Sequence, residues 1–142
     1  MLALALLGMI LSGYALTFHY ADGGRSLCDI NARFSCDTVN KSAWSTVLGI
    51  PVALLGILGY AAVALLALKR GAIQRALAFT HEDWRQDLLL LIAAMAAFQL
   101  YLTFVEAYFI GSYCVVCLAS QVVVLALLGF VWKDDATKNK YA

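Results

Sequence analysis

Charge and proline are scarce in this 142-residue chain: 13% of its residues are charged and it has a single proline. A soluble domain carries about 25% charged residues, so the chain has too little polar surface to face water all round. Basic blocks are absent and the formal net charge is only +1. That excludes the electrostatic footprint of a nucleic-acid binder and gives no attraction to acidic substrates. Repeats of solenoid type and low-complexity segments are also missing. What remains is apolar: 63% of residues are hydrophobic and mean hydropathy is +0.83.

A membrane span needs about 20 mostly apolar residues. Four stretches qualify, at about 2–20, 48–68, 88–110 and 113–132. In hydrocarbon the backbone must satisfy its own hydrogen bonds, which these continuous runs do as helices. A barrel would need alternating strands. The expected architecture is therefore all-α, one integral-membrane four-helix bundle covering residues 1–142. The first stretch reads as a retained helix and not a cleaved signal, because it lacks a basic lead and a clear small-residue cleavage site. Pro51 is expected in the first turn of the second helix, where its missing N–H is harmless. Gly56 and Gly59 would let another helix approach closely.

Lysine and arginine favour the cytoplasmic side. Seven of the ten basic residues fall in the second loop or the tail: Lys69, Arg70, Arg75, Arg85, Lys133, Lys138 and Lys140. With four spans, these lie on the side of the N-terminus. Both termini are therefore expected in the cytoplasm. The long first loop (residues 21–47) and the Gly111-Ser112 turn then face the periplasm or cell exterior. The second loop, residues 69–87, is expected to hold a short amphipathic helix with Ile73, Leu77, Phe79 and Trp84 at the membrane surface.

The four cysteines, Cys28, Cys36, Cys114 and Cys117, all fall on that outer, oxidising side. Three functions compete for them. Static disulfides in a membrane scaffold are one, although a bond across two intervening residues closes a small ring and constrains little. A metal-binding membrane module is the second. Cys114-Val-Val-Cys117 supplies half of a tetrahedral site, but Cys28 and Cys36 are spaced more widely than the usual half. His19 is an extra ligand or, more simply, a polar interface residue. The third is redox transfer, and it uses every cysteine. A CxxC at a helix start sits where the helix dipole favours thiolate, the reactive form. A loop pair can meet a soluble protein and pass electrons to the CxxC through mixed disulfides. A dithiol in a membrane then needs an acceptor dissolved there, and a quinone is one.

The run "CDINARFSCDTVNKSAWSTVLGIPVALLGILGY" and the later "GSYCVVCLAS" together resemble the vitamin K epoxide reductase family in its bacterial single-domain form. The resemblance spans all four stretches. It lies in the order of features: a loop cysteine pair, a hydroxyl residue, a glycine-proline entry into the second helix, then CxxC at the start of the last. The other quinone-linked disulfide generator of bacterial membranes has the reverse order. The resemblance implies a four-helix bundle around a quinone pocket capped by the first loop. It implies an inner-membrane enzyme that oxidises a thioredoxin-fold disulfide carrier and reduces ubiquinone or menaquinone. By position, Cys28 would meet the carrier, Cys36 would relay to Cys114, and Cys117 would face the quinone. The sequence leaves the resting pairing open: Cys28 with Cys36 and Cys114 with Cys117 is the expected arrangement, with a Cys36–Cys114 link as an intermediate. Ser42 matches the family's hydroxyl position and would hold the quinone. Many bacterial members continue into a thioredoxin-like domain, whereas this sequence stops at Ala142, so the carrier is expected to be a separate protein. Gln121 stands where the animal enzymes have a tyrosine. Epoxide reduction is therefore not the expected role, although Gln121 remains a candidate quinone contact.

One more residue stands out on physical grounds. Glu106 is the only acidic residue well inside a span, and intramembrane ionisable groups mark functional sites. It is expected either to serve the quinone or its protons, or to hydrogen-bond Gln99 or Tyr101 or snorkel to the interface.

Overall fold

The computed structural model describes residues 1–20, 28, 30–31, 33–68 and 81–139. Long helices dominate. They are α1 (Leu2–Tyr20), α3 (Val52–Leu68), α4 (His81–Val105) and α5 (Val115–Asn139), with a short α2 (Cys36–Asn40) between the first two. A 3₁₀ turn (Ala43–Ser45) and a two-stranded antiparallel hairpin, β1 (Thr46–Val47) and β2 (Ile50–Pro51), lead into α3. Among the described residues, three segments are long and apolar enough to cross a membrane: Leu2–Tyr20, Gln86–Ile110 and Val115–Lys133. The 17 residues of α3 reach about 25 Å at 1.5 Å per residue.

Small side chains bring the helices together. Ala5, Gly8, Ser12 and Ala15 recur every three or four residues along the buried face of α1. Without a driving force from water, such small residues allow close backbone approach and dispersion contact. The Tyr60 ring of α3 lies directly on Gly8, and a Cβ at Gly56 would come within 2.7 Å of the Ser12 hydroxyl. Gly59 likewise faces Met95 of α4, whose Cε would lie 3.0 Å from a Cβ there. Tyr60, Val63, Ile92, Val124 and Leu127 form the buried centre. Large apolar residues such as Ile10, Leu58, Leu90, Val122 and Phe130 point outward, as lipid requires.

The helix boundaries depart from the apolar runs at several points. Leu48 and Gly49 both have positive φ, +54° and +81°. That conformation makes a two-residue hairpin turn between paired Val47 and Ile50, so the helix cannot begin until Val52. Pro51 thus ends β2 and is not inside the first turn of α3. At the other boundary, α4 starts at His81, so residues 81–87 are helical and not loop. Residues 69–80, with Ile73, Leu77 and Phe79 of the expected amphipathic helix, lie outside the described residues. The last helix continues past Trp132 to Asn139.

The end of α4 also differs from a plain helix. Glu106–Ile110 widens into a π turn, closed by the Gly111 N–H donating to the Glu106 carbonyl at 2.9 Å. Gly111 takes the left-handed conformation (φ +70°) that ends the helix. Such widened turns recur at functional sites because they re-aim a side chain. Here the re-aimed residue is Glu106.

Candidate active site

The first loop reaches the start of α5 through a short parallel bridge. The Tyr113 N–H donates to the Arg33 carbonyl at 2.7 Å, and the Ser35 N–H donates to the Tyr113 carbonyl at 3.2 Å. Ser35 then caps α2, its hydroxyl accepting the Thr38 N–H at 3.1 Å. These bonds fix Cys36 at the first position of α2 and Cys114 at the residue before α5. Their sulfurs lie 3.7 Å apart and both residues are fully buried. Cys28 is joined to Cys36 in a disulfide, while Cys114 and Cys117 are free thiols. The structure thus has the expected loop pair, but the CxxC pair is reduced.

Cys114 is a helix cap as well as a thiol. Its sulfur accepts the Cys117 N–H at 3.2 Å, in the place a serine oxygen usually takes. The Cys117 thiol hydrogen-bonds the same sulfur and holds the Cys114 thiol below the ordinary cysteine range; the Cys117 N–H and Asn40 add to this, while burial and the charge of Glu106 oppose it. Cys114 is therefore the more thiolate-prone sulfur, and also the better leaving group.

Asn40 closes the site from the loop side. Its Nδ2 donates to the Cys36 carbonyl at 2.9 Å and lies 3.7 Å from the Cys114 sulfur. Its own carbonyl accepts from His19 Nδ1 at 2.9 Å. His19 thereby ties the end of α1 to the end of α2. Asn40 and this tie were not singled out in the sequence, because an asparagine in a polar loop carries no periodic signal.

Below the cysteines, the helices and the first loop enclose a cavity of about 140 Å³. An apolar protein cavity of about 150 Å³ holds one benzene-sized ring. Its walls include Leu11, Ala53, Leu55, Met95, Phe98 and Val116, with Trp44 and Ser45 from the loop. Cys117 lines it, whereas Cys114 does not. Ser42 also lines it, and its hydroxyl donates to the Val39 carbonyl at 2.7 Å. Glu106 lines it too and is 3% exposed. One of its oxygens accepts the Cys114 N–H at 3.1 Å, and it hydrogen-bonds the Cys117 thiol. The expected partners of Glu106, Gln99 and Tyr101, bond elsewhere or face outward. Gln121 is not on the wall. Its carboxamide oxygen accepts the Thr103 hydroxyl at 2.7 Å, and Thr103 is on the wall. Deeper in, Ser12, Gln99 and Ser120 add polar atoms to the lining.

The metal reading finds no support. Two of the four sulfurs are bonded to each other, and no cluster of three His, Cys, Asp or Glu residues occurs among the described residues.

Apolar helices around a disulfide, a facing dithiol and a ring-sized cavity fit one class, a membrane oxidoreductase. The chain belongs to the vitamin K epoxide reductase family, whose sequence profile matches residues 1–132. It is similar to vitamin K epoxide reductase complex subunit 1 of Rattus norvegicus, with 30% identity over 135 residues, covering 89% of this chain and 83% of the rat protein. Membership makes this chain a multi-pass membrane protein with quinone-linked disulfide redox chemistry.

Proposed function

We propose that the protein is a four-span quinone-dependent thiol oxidase that draws electrons from a separate thioredoxin-fold disulfide carrier outside the cytoplasmic membrane. The carrying observation is the 3.7 Å approach of Cys36 to Cys114, with Cys117 on the wall of a ring-sized cavity. The charge bias supports both termini in the cytoplasm and the cysteines on the outer face. The first loop, through Asn40, Ser42, Trp44 and Ser45, then acts as a cap on the cavity.

The relay balances in bonds and electrons. A carrier thiolate attacks Cys28, and Cys36 leaves as thiolate; the carrier's second thiolate displaces Cys28 and takes away a disulfide. Cys36 attacks Cys114 of a Cys114–Cys117 disulfide, and Cys117 leaves. Cys28 then attacks Cys36 and displaces Cys114. The low-lying Cys114 thiol favours that departure. The outcome is a Cys28–Cys36 disulfide beside two thiols, which is the pairing in the structure.

The acceptor, ubiquinone or menaquinone, takes two electrons and two protons. Cys117 delivers the electron pair at the cavity wall while Cys114 closes the disulfide behind it. Glu106, bonded to the Cys117 thiol, takes the thiol proton and passes it to the ring. The second proton comes from water at the outer face, where the carrier and loop thiols release theirs. Ser42 donates to a ring oxygen once its hydroxyl turns from Val39, and Gln121 holds Thr103 in place.

The test is quinone reduction by purified protein with a reduced thioredoxin-fold carrier. Cys117→Ser abolishes it and added chelator leaves it unchanged. Undiminished turnover in Cys117→Ser overturns the assignment.

A further inference from the structure

Gln99 is the clearest unexplained group in the molecule. Its Nε2 donates to the Ser120 hydroxyl oxygen at 2.9 Å. Ser120 is in turn held by Tyr60, whose hydroxyl lies 2.8 Å from the Ser120 carbonyl and 2.7 Å from its Oγ. Gln99 Oε1 is the one buried side-chain polar atom without a partner among the described residues. A buried, unpaired carboxamide oxygen is unfavourable by about 1–3 kcal/mol, and Gln99 lines the cavity. An unpartnered acceptor on a residue that lines a cavity fits a ligand that brings a donor there once the carboxamide turns toward it.

The position fits as well. Ser120 follows Cys117 by three residues, and Gln99 precedes Glu106 by seven. Both spacings keep one helix face. Gln99 and Ser120 therefore sit deeper in the cavity than the cysteine end, where a ring's second oxygen would lie.

Quinone and quinol differ in one respect that matters here: a quinone oxygen only accepts, while a quinol hydroxyl also donates. A primary carboxamide can serve both by turning over, offering NH₂ to one and C=O to the other. Ser120 suits either orientation, because its hydroxyl accepts from an NH₂ and donates to a carbonyl equally well. Tyr60 keeps its bond to the Ser120 carbonyl throughout. Resting on the quinone reading above, we propose that Gln99, backed by Ser120 and Tyr60, is the reversible hydrogen-bonding contact for the far ring oxygen. The orientation in the structure, with Nε2 engaged on Ser120 and Oε1 unpartnered, is the one that accepts from quinol.

The experiment uses the full-length protein in lipid nanodiscs, a reduced thioredoxin-fold carrier, and a short-chain ubiquinone analogue with its quinol as product inhibitor. Gln99→Leu is expected to raise both the quinone KM and the quinol inhibition constant about tenfold, the loss of roughly one hydrogen bond. Single-turnover transfer from carrier to the cysteines, without quinone, stays unchanged. Gln99→Glu, at a pH where the new carboxylate is ionised, retains only acceptors. It is expected to raise the quinone KM while sparing the quinol constant, a split that a packing role does not produce. Unchanged constants in Gln99→Leu, or equal shifts in Gln99→Glu, overturn the proposal while leaving the oxidase reading in place. Wild-type protein that fails to reduce the quinone overturns both.

Discussion

If electrons cross between the loop and the helix pair, a chain holding only the two central cysteines should trap the crossing. The variant Cys28→Ser with Cys117→Ser leaves Cys36 and Cys114, whose sulfurs are 3.7 Å apart. A disulfide needs about 2.05 Å, so the sulfurs must close by about 1.7 Å, within the reach of small side-chain rotations. Mild oxidant should link them almost completely, with an intact-mass loss of two hydrogens and a single crosslinked peptide joining residues 36 and 114. The link spans a sequence separation of 78, against 8 for the native loop disulfide. In the chain-entropy model the longer loop adds about 2 kcal/mol more stabilisation than the shorter one. Detergent-titrated unfolding measures this, comparing oxidised with reduced protein here and in a Cys114→Ser with Cys117→Ser control. Two free thiols after oxidation, or a link with no greater gain than the control, would refute the relay geometry.

Other outcomes follow from the same contacts. The Cys117 thiol is the main support of the lowered Cys114 thiol. In Cys117→Ala the thiolate absorbance of Cys114 should therefore appear at higher pH, while Cys117→Ser, which keeps a donor, shifts it less. Glu106 opposes the Cys114 thiolate by charge, so Glu106→Gln should move the same titration to lower pH and, by the proposed proton role, slow quinone reduction at least tenfold. Tyr60→Phe removes the hydroxyl that pairs with Ser120 and should lower stability by about 1–3 kcal/mol in unfolding titrations. Gly8→Ala places a methyl against the Tyr60 ring and should be destabilising by about 1–3 kcal/mol. Gly13 has open space around it, so Gly13→Ala should instead gain about 0.5–1 kcal/mol from helix propensity.

The helices were legible because their signal is local. An unbroken apolar run in a chain with 13% charge leaves the backbone no solution in lipid other than a helix. The close approach at Gly56 was legible for the same reason, since small residues at the right spacing have one common use. The helix ends were less so. The positive φ of Leu48 could not be anticipated from a leucine, because it is imposed by the pairing of Val47 with Ile50.

The site divides along the same line. Spacing and order alone picked out Cys28, Cys36, Cys114 and Cys117, because paired cysteines in so few charged surroundings have few uses. Glu106 drew notice as a lone carboxyl in apolar sequence, but its partner was misjudged. A regular helix would have directed it toward its own neighbours, whereas the π turn at Glu106–Ile110 brings it under the Cys114 N–H. Asn40 and Ser120 gave no sequence signal at all, and Gln99 was noticed only as a candidate partner of Glu106. Each is an ordinary polar residue whose meaning depends on what lies across from it, 60 or more residues away in the case of Tyr60 and Ser120.

The sequence by itself determined the solvent, the helical class and which sulfurs are available, since these follow from composition and local order. Only the tertiary structure decided which sulfur faces which. The parallel bridge of residues 33–35 to Tyr113 is a long-range backbone pairing, and with Asn40 it sets Cys36 against Cys114 and leaves Cys117 to the cavity.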